Sequence, residues 1–130
     1  MKILGVELAS NKLNYVLLVY QGDAVEIAQA NRLQLTSTRS PDALRAFQSA
    51  VSALLTGANP DRIGIKSKPE SGQMRAGAAA LKMEAILLAA APCPVEFVSG
   101  ARIVACEDCD GLKKYHQPAC KAASVIARKA

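Results

Sequence analysis

Two kinds of apolar run alternate along this chain. Near the N-terminus they are short and dense: Ile3 to Leu8 carries a single acid, Glu7, and Leu13 to Tyr20 is rich in Val, Leu and Tyr. Runs of that length predict two strands. Gln21-Gly22-Asp23 supplies turn chemistry, and Ala24 to Leu35 then sets Val25, Ile27, Leu33 and Leu35 on one face against Glu26, Arg32 and Gln34 on the other. A third strand follows, closing an antiparallel meander. The alternation lapses at Ala28-Gln29-Ala30-Asn31, which predicts a bulge or a shortened strand there.

Beyond residue 40 the period changes. Ser40-Pro41-Asp42 combines a capping hydroxyl, a first-turn proline and an acid at the positive end of a helix dipole. Leu44, Phe47, Val51, Leu54 and Leu55 follow at helical spacing, and Gly57 and Pro60 stop the helix. Arg62 to Lys66 reads as a short strand and Ser67 to Gly72 as a loop. From Gln73 to about Ala91 an alanine-rich helix is predicted, with Met74, Ala78, Leu81, Ala85 and Leu88 on its buried line. Pro92 and Pro94 end it. Val95 to Val98 is a last strand, Ser99 caps a short helix to about Ala105, and Pro118 opens a final helix ending near Lys129.

The order βββαβαβα requires a mixed five-stranded α/β sheet with helical crossovers and helices on both faces. A length of 130 residues with 51% hydrophobic composition suits one domain over 1–130. Aromatic content is 4% with no Trp, so the core rests on Leu, Ile, Val and Ala.

The net charge of +5 is compatible with a polyanionic partner such as DNA or RNA, although many basic proteins bind no particular polyanion. Glu7 breaks the first apolar run too early for a signal peptide, and Leu81 to Ala91 contains Lys82 and Glu84, short of a membrane span of about 20 residues. A cytoplasmic protein without a membrane partner is expected. In that compartment the four cysteines are expected as thiols or metal ligands, not as a disulfide framework.

Gly5-Val6-Glu7-Leu8, then Pro60-Asp61-Arg62-Ile63-Gly64-Ile65 running into a long helix, then Val95-Glu96-Phe97-Val98, together resemble the ribonuclease H-like (RuvC-like) superfamily over nearly the whole chain. Gly5-Val6-Glu7-Leu8, Gly72, Ala76-Gly77 and Lys82-Met83-Glu84-Ala85 are similar to a small bacterial family of uncharacterised domains within it. The resemblance implies a site at which acids from the first strand, the end of the fourth strand and the last helix hold two divalent metals. Glu7 takes the first position; Lys66 or Lys68 falls at the second; Cys120, Lys121, Ala123 and Ser124 fall at the third. A lysine there would pair with Glu7, so a catalytically degenerate domain that binds nucleic acid is the leading expectation.

An atypical nuclease using Mg or Mn would need Glu84 beside Glu7, with Asp108 and Asp110 as further candidates. Cys106, Cys109, His116 and Cys120, spaced C-x2-C-x6-H-x3-C, form a zinc candidate, against ordinary thiols near a polar loop. Lys66, Lys68, Arg75 and Lys82 form a basic group, with Arg75 and Lys82 expected on one helix face, suited to nucleic acid. The remaining alternative is a homodimer or protein-interaction module formed through the 73–91 helix, where Ala76, Gly77 and Ala80 permit close contact. Ser10-Asn11-Lys12 lacks the glycines of a phosphate loop, which excludes an actin-like ATPase.

Overall fold

The alternating strands pair as a meander, β1 (Lys2–Ala9), β2 (Lys12–Gln21) and β3 (Ala24–Gln34). Gly22 turns the second hairpin at φ +61°, a conformation open to glycine without steric cost. This computed structural model describes residues 1–73 and 75–128; Met74 and Lys129, which the sequence places in helices, lie outside them. The sheet order is β3-β2-β1-β4-β5, with β4 (Arg62–Lys66) parallel to β1 and β5 (Val95–Val98) parallel to β4.

Parallel pairing demands crossovers, and two helices supply them. Helix α1 (Pro41–Ala58) starts where Ser40 Oγ accepts the Ala43 N–H at 3.2 Å. It ends on Asn59 at φ +45°, whose N–H returns to Leu55 O; the stop is an αL asparagine, between the expected Gly57 and Pro60. Helix α2 (Ala78–Ala90) joins β4 to β5, and α3 (Gly100–Ala105), a 3₁₀ turn (Lys114–His116) and α4 (Gln117–Arg128) complete the chain.

Each face of the sheet has its own core. Leu4, Val6 and Leu8 of β1 and Ile63 and Ile65 of β4 pack with Phe47, Val51 and Leu55 of α1 and Ala80, Met83 and Leu87 of α2. On the other face Ile3, Val16 and Leu18 meet Ala119, Ala122, Ala123 and Ile126 of α4.

Three sequence expectations change here. The buried line of α2 is Ala80, Met83 and Leu87, not Ala78, Leu81, Ala85 and Leu88, and Leu88 is 40% exposed. The segment is apolar all round, so its periodicity selects no face. The helix also begins at Ala78, because Ala76 N–H is held by Pro69 O in the preceding loop; Arg75 therefore precedes α2 and shares no face with Lys82. On β3 the bulge falls where the alternation lapses, with Leu17 opposite Gln29 and Leu18 opposite Ile27. It switches the side-chain phase: Leu33 pairs with Leu13 of the α1 face, whereas Ile27 pairs with Leu18 of the α4 face. Val25, Ile27, Leu33 and Leu35 thus occupy two faces, not one, and Val25 and Ile27 are left exposed.

Candidate functional site

The α4 face is shaped by two glycines. A Cβ on Gly5 would lie 1.8 Å from Ala119 O, and one on Gly64 would lie 2.8 Å from Ala122 O, so bare backbone on β1 and β4 lets α4 approach. Arg62 anchors the far end of this helix by donating to Ile126 O at 2.9 Å. The start of α4 is thereby laid against the carboxyl ends of β1 and β4.

There, one step beyond the glycines, a polar row crosses the sheet. Arg32 of β3 stands opposite Asn14 of β2, Asn14 opposite Glu7 of β1, and Lys66 of β4 donates from Nζ to Glu7 Oε2 at 3.3 Å. The Glu7 side chain is only 12% exposed, so its ammonium partner offsets charge that water reaches poorly. Asn14 is 2% exposed, and its Oδ1, like Arg32 Nε, is buried without a hydrogen-bond partner among the described residues. Arg32 stacks 4.1 Å from the Tyr115 ring centroid, and His116 Nε2 lies 3.0 Å from Asn31 O. These contacts tie the 3₁₀ turn to the edge strand.

A cleft of about 360 Å³ opens beside Lys66, walled by Ile103 and Val104 of α3 and by Lys114, Gln117, Pro118 and Lys121. Neither Lys114 nor Lys121 forms an ion pair with a described residue. Sequence reading placed Lys121 on the last helix at the third position but assigned neither lysine to a cleft beside Lys66, and it did not single out Asn14 or Arg32 as site residues, because strand register and helix docking place them there. The alternation of β2 contained one usable signal: Asn14 is a polar residue inside the run Leu13 to Val19.

The residues singled out earlier divide as follows. Glu7 and Lys66 meet. Glu84 lies on α2, which covers the opposite face, and its carboxyl is pushed up by burial and then by neighbouring Glu70. The Glu7–Glu84 pair that an atypical nuclease would need is therefore not assembled. Asp108 is taken by Arg128 at 2.6 Å. Lys82 Nζ donates to Thr38 O at 2.6 Å and Arg75 to Gly72 O at 3.1 Å, so Lys66, Lys68, Arg75 and Lys82 are not one group of free cations.

The zinc arrangement is not formed either. Cys109 and Cys120, with Cα atoms 6.1 Å apart, are joined as a disulfide, correcting the expectation of thiols, while Cys93 and Cys106 remain free. His116 is engaged with Asn31, and no group of three or more potential metal ligands exists among the described residues. Glu7 belongs to no such group among the described residues, and its carboxylate is met by Lys66. Among the described residues no helix is long and apolar enough to cross a membrane.

The fold has solved counterparts. RuvC of Thermus thermophilus is similar with a TM-score of 0.77 at 12% identity, over 99% of this chain and 96% of that one. The same RuvC in complex with its Holliday junction substrate gives 0.78 at 13% identity, again covering 99% and 96%. The yeast mitochondrial Holliday junction resolvase gives 0.61 at 12% identity, over 96% of this chain and 75% of that one. At these identities the likeness establishes the RNase H-like fold alone. No curated protein matches the chain by sequence. The match that does extend along the sequence covers residues 1–126, and by it the chain belongs to the family described as Protein of unknown function (DUF3010).

Proposed function

We propose that this chain is a single RNase H-like domain, working in the cytoplasm, that binds nucleic acid through the carboxyl end of its sheet and does not cleave it. The observation that carries the reading is the contact of Lys66 Nζ with Glu7 Oε2, which places a fixed ammonium where the resemblance calls for a metal-binding acid. Lys114 and Lys121 line the cleft beside Lys66 and give this end positive charge, and Lys68 and Arg75 belong to the segment that follows β4. RuvC's complex with a Holliday junction supports DNA as the first partner to test.

Binding to single-stranded, duplex and branched DNA and to RNA is measured by anisotropy at two salt concentrations. Four phosphate contacts on duplex DNA give a slope of log affinity against log salt of about −3.6. Absence of affinity for every nucleic acid at low salt overturns the reading. So does cleavage with Mg or Mn that disappears in Glu7→Gln.

A second reading, self-association through α2, draws on its exposed Ala85, Leu88 and Ala89. Ala80 is buried in the core and Ala76 and Gly77 precede the helix, so the contact would use those outward residues instead. Sedimentation of wild type and Leu88→Glu tests it.

A further inference from the structure

We infer that the cleft between α3 and α4 is a receptor for a phosphate monoester, the terminal phosphate of a nucleic acid strand or a nucleotide, with Lys114 and Lys121 as its recognition residues. This deepens the nucleic-acid reading and rests on it for the identity of the larger ligand.

Three ammonium groups, those of Lys66, Lys114 and Lys121, line one cleft, and no carboxylate lines it. Glu7, which does not line the cleft, accepts from Lys66 and offsets one charge. Lys114 and Lys121 have no ion-pair partner among the described residues, leaving two positive charges uncompensated in a space of about 360 Å³. A phosphate monoester carries about −1.5 to −2 at neutral pH, twice the charge of an internal phosphodiester, and matches that excess.

Position is compatible with the match: the first turns of the twelve-residue α4, which supply Gln117, Pro118 and Lys121 to the cleft, carry no acid that would oppose an anion. Gln117 Nε2 donates to Leu112 O at 3.0 Å, holding the approach to the helix in place. The opposite wall is apolar: Ile103 is buried and Val104 is 83% exposed, a surface against which the sugar or base carrying the phosphate can lie.

The cleft takes in Lys66 and Lys121, two positions at which the resemblance calls for metal-binding acids, so it is lined by cations instead. A metal would be repelled by the same groups. The sequence hides this arrangement, since the lysine of β4 stands 48 positions before Lys114 and 55 before Lys121.

The test uses the full chain and two twelve-nucleotide DNA strands labelled at the 3′ end, one with a 5′-phosphate and one with a 5′-hydroxyl. The phosphorylated strand is expected to bind about tenfold more tightly, the gain of one further charge-assisted contact, and inorganic phosphate is expected to compete. Lys114→Ala with Lys121→Ala, its fold checked by circular dichroism, should erase the preference. Equal binding of both strands, or a preference that survives in the double variant, overturns the inference while leaving the nucleic-acid reading standing. If neither strand binds but adenosine 5′-monophosphate does, and the double variant loses it, the cleft is a phosphate receptor and the nucleic-acid reading fails.

Discussion

The Cα of Gly5 faces the carbonyl of Ala119 so closely that a single added methyl would sit 1.8 Å from that oxygen. Gly5→Ala sets two backbones against each other, and neither can move without shifting β1 or α4. We expect a loss at or beyond the roughly 3 kcal/mol upper end of ordinary overpacking, read from urea unfolding. At Gly64 the clash with Ala122 O is milder, 2.8 Å, and Gly64→Ala should cost less. Equal effects would mean that α4 does not dock through these two carbonyls.

The Glu7–Lys66 pair predicts coupling. Lys66→Met strands a carboxylate that is 12% exposed, and Glu7→Gln leaves an ammonium that is 29% exposed, so Lys66→Met should be the more damaging. Because both groups keep some water, we expect about 1–3 kcal/mol for the worse variant, below the cost of breaking a fully buried pair. The double variant should lose less than the sum of the two, by thermal or urea unfolding. Strict additivity would show that the pair does not interact.

The buried line of α2 is tested by two truncations. Leu87 is fully buried and Leu88 is 40% exposed. Leu87→Ala should cost about 2–5 kcal/mol, whereas Leu88→Ala should stay well below that range. The reverse order would restore the helix line first read from the sequence.

The disulfide gives a thiol count. Native protein should present two reactive thiols, Cys93 and Cys106, the latter slowly because it is buried, and four after reduction. Reduction opens a loop closed across eleven positions and should lower stability by roughly 2–4 kcal/mol. Four thiols without reductant would show that Cys109 and Cys120 are unbonded.

Glu84 predicts a pH dependence. Burial and then Glu70 raise its folded-state pKa above the ordinary carboxylate value, so the folded chain holds that proton more tightly than the unfolded one. The stabilisation is fully present below the unfolded pKa, falls as pH rises through the two values, and is absent above the folded one. Glu70→Gln should move the Glu84 titration, followed by NMR, downward. An unchanged titration would show that Glu70 does not act on it.

Much of the fold was legible because the signals are local. Short apolar runs marked β1 and β2, a two-residue alternation marked β3, and its lapse at Ala28 marked the bulge; Ser40-Pro41-Asp42 and Ser99 marked helix starts through caps formed within three residues. The pairing of Lys66 with Glu7 was foreseen from the superfamily resemblance.

What the sequence alone determined, then, is the order of elements, their caps and the phase of most strands, since hydrogen bonds and side-chain spacing between near neighbours fix these. Tertiary structure decided the rest. Alanine and leucine all around α2 left its buried side to be chosen by packing, and the bulge sent Ile27 and Leu33 to opposite faces. Strand register aligned Arg32, Asn14, Glu7 and Lys66, and docking of α4 on two glycines brought Lys114 and Lys121 to the end of β4 and Cys120 to Cys109. Such neighbours lie tens of residues apart, or depend on the path of one loop. Register across the sheet decides the first set, and the close approach of backbones that Gly5 and Gly64 allow decides the second.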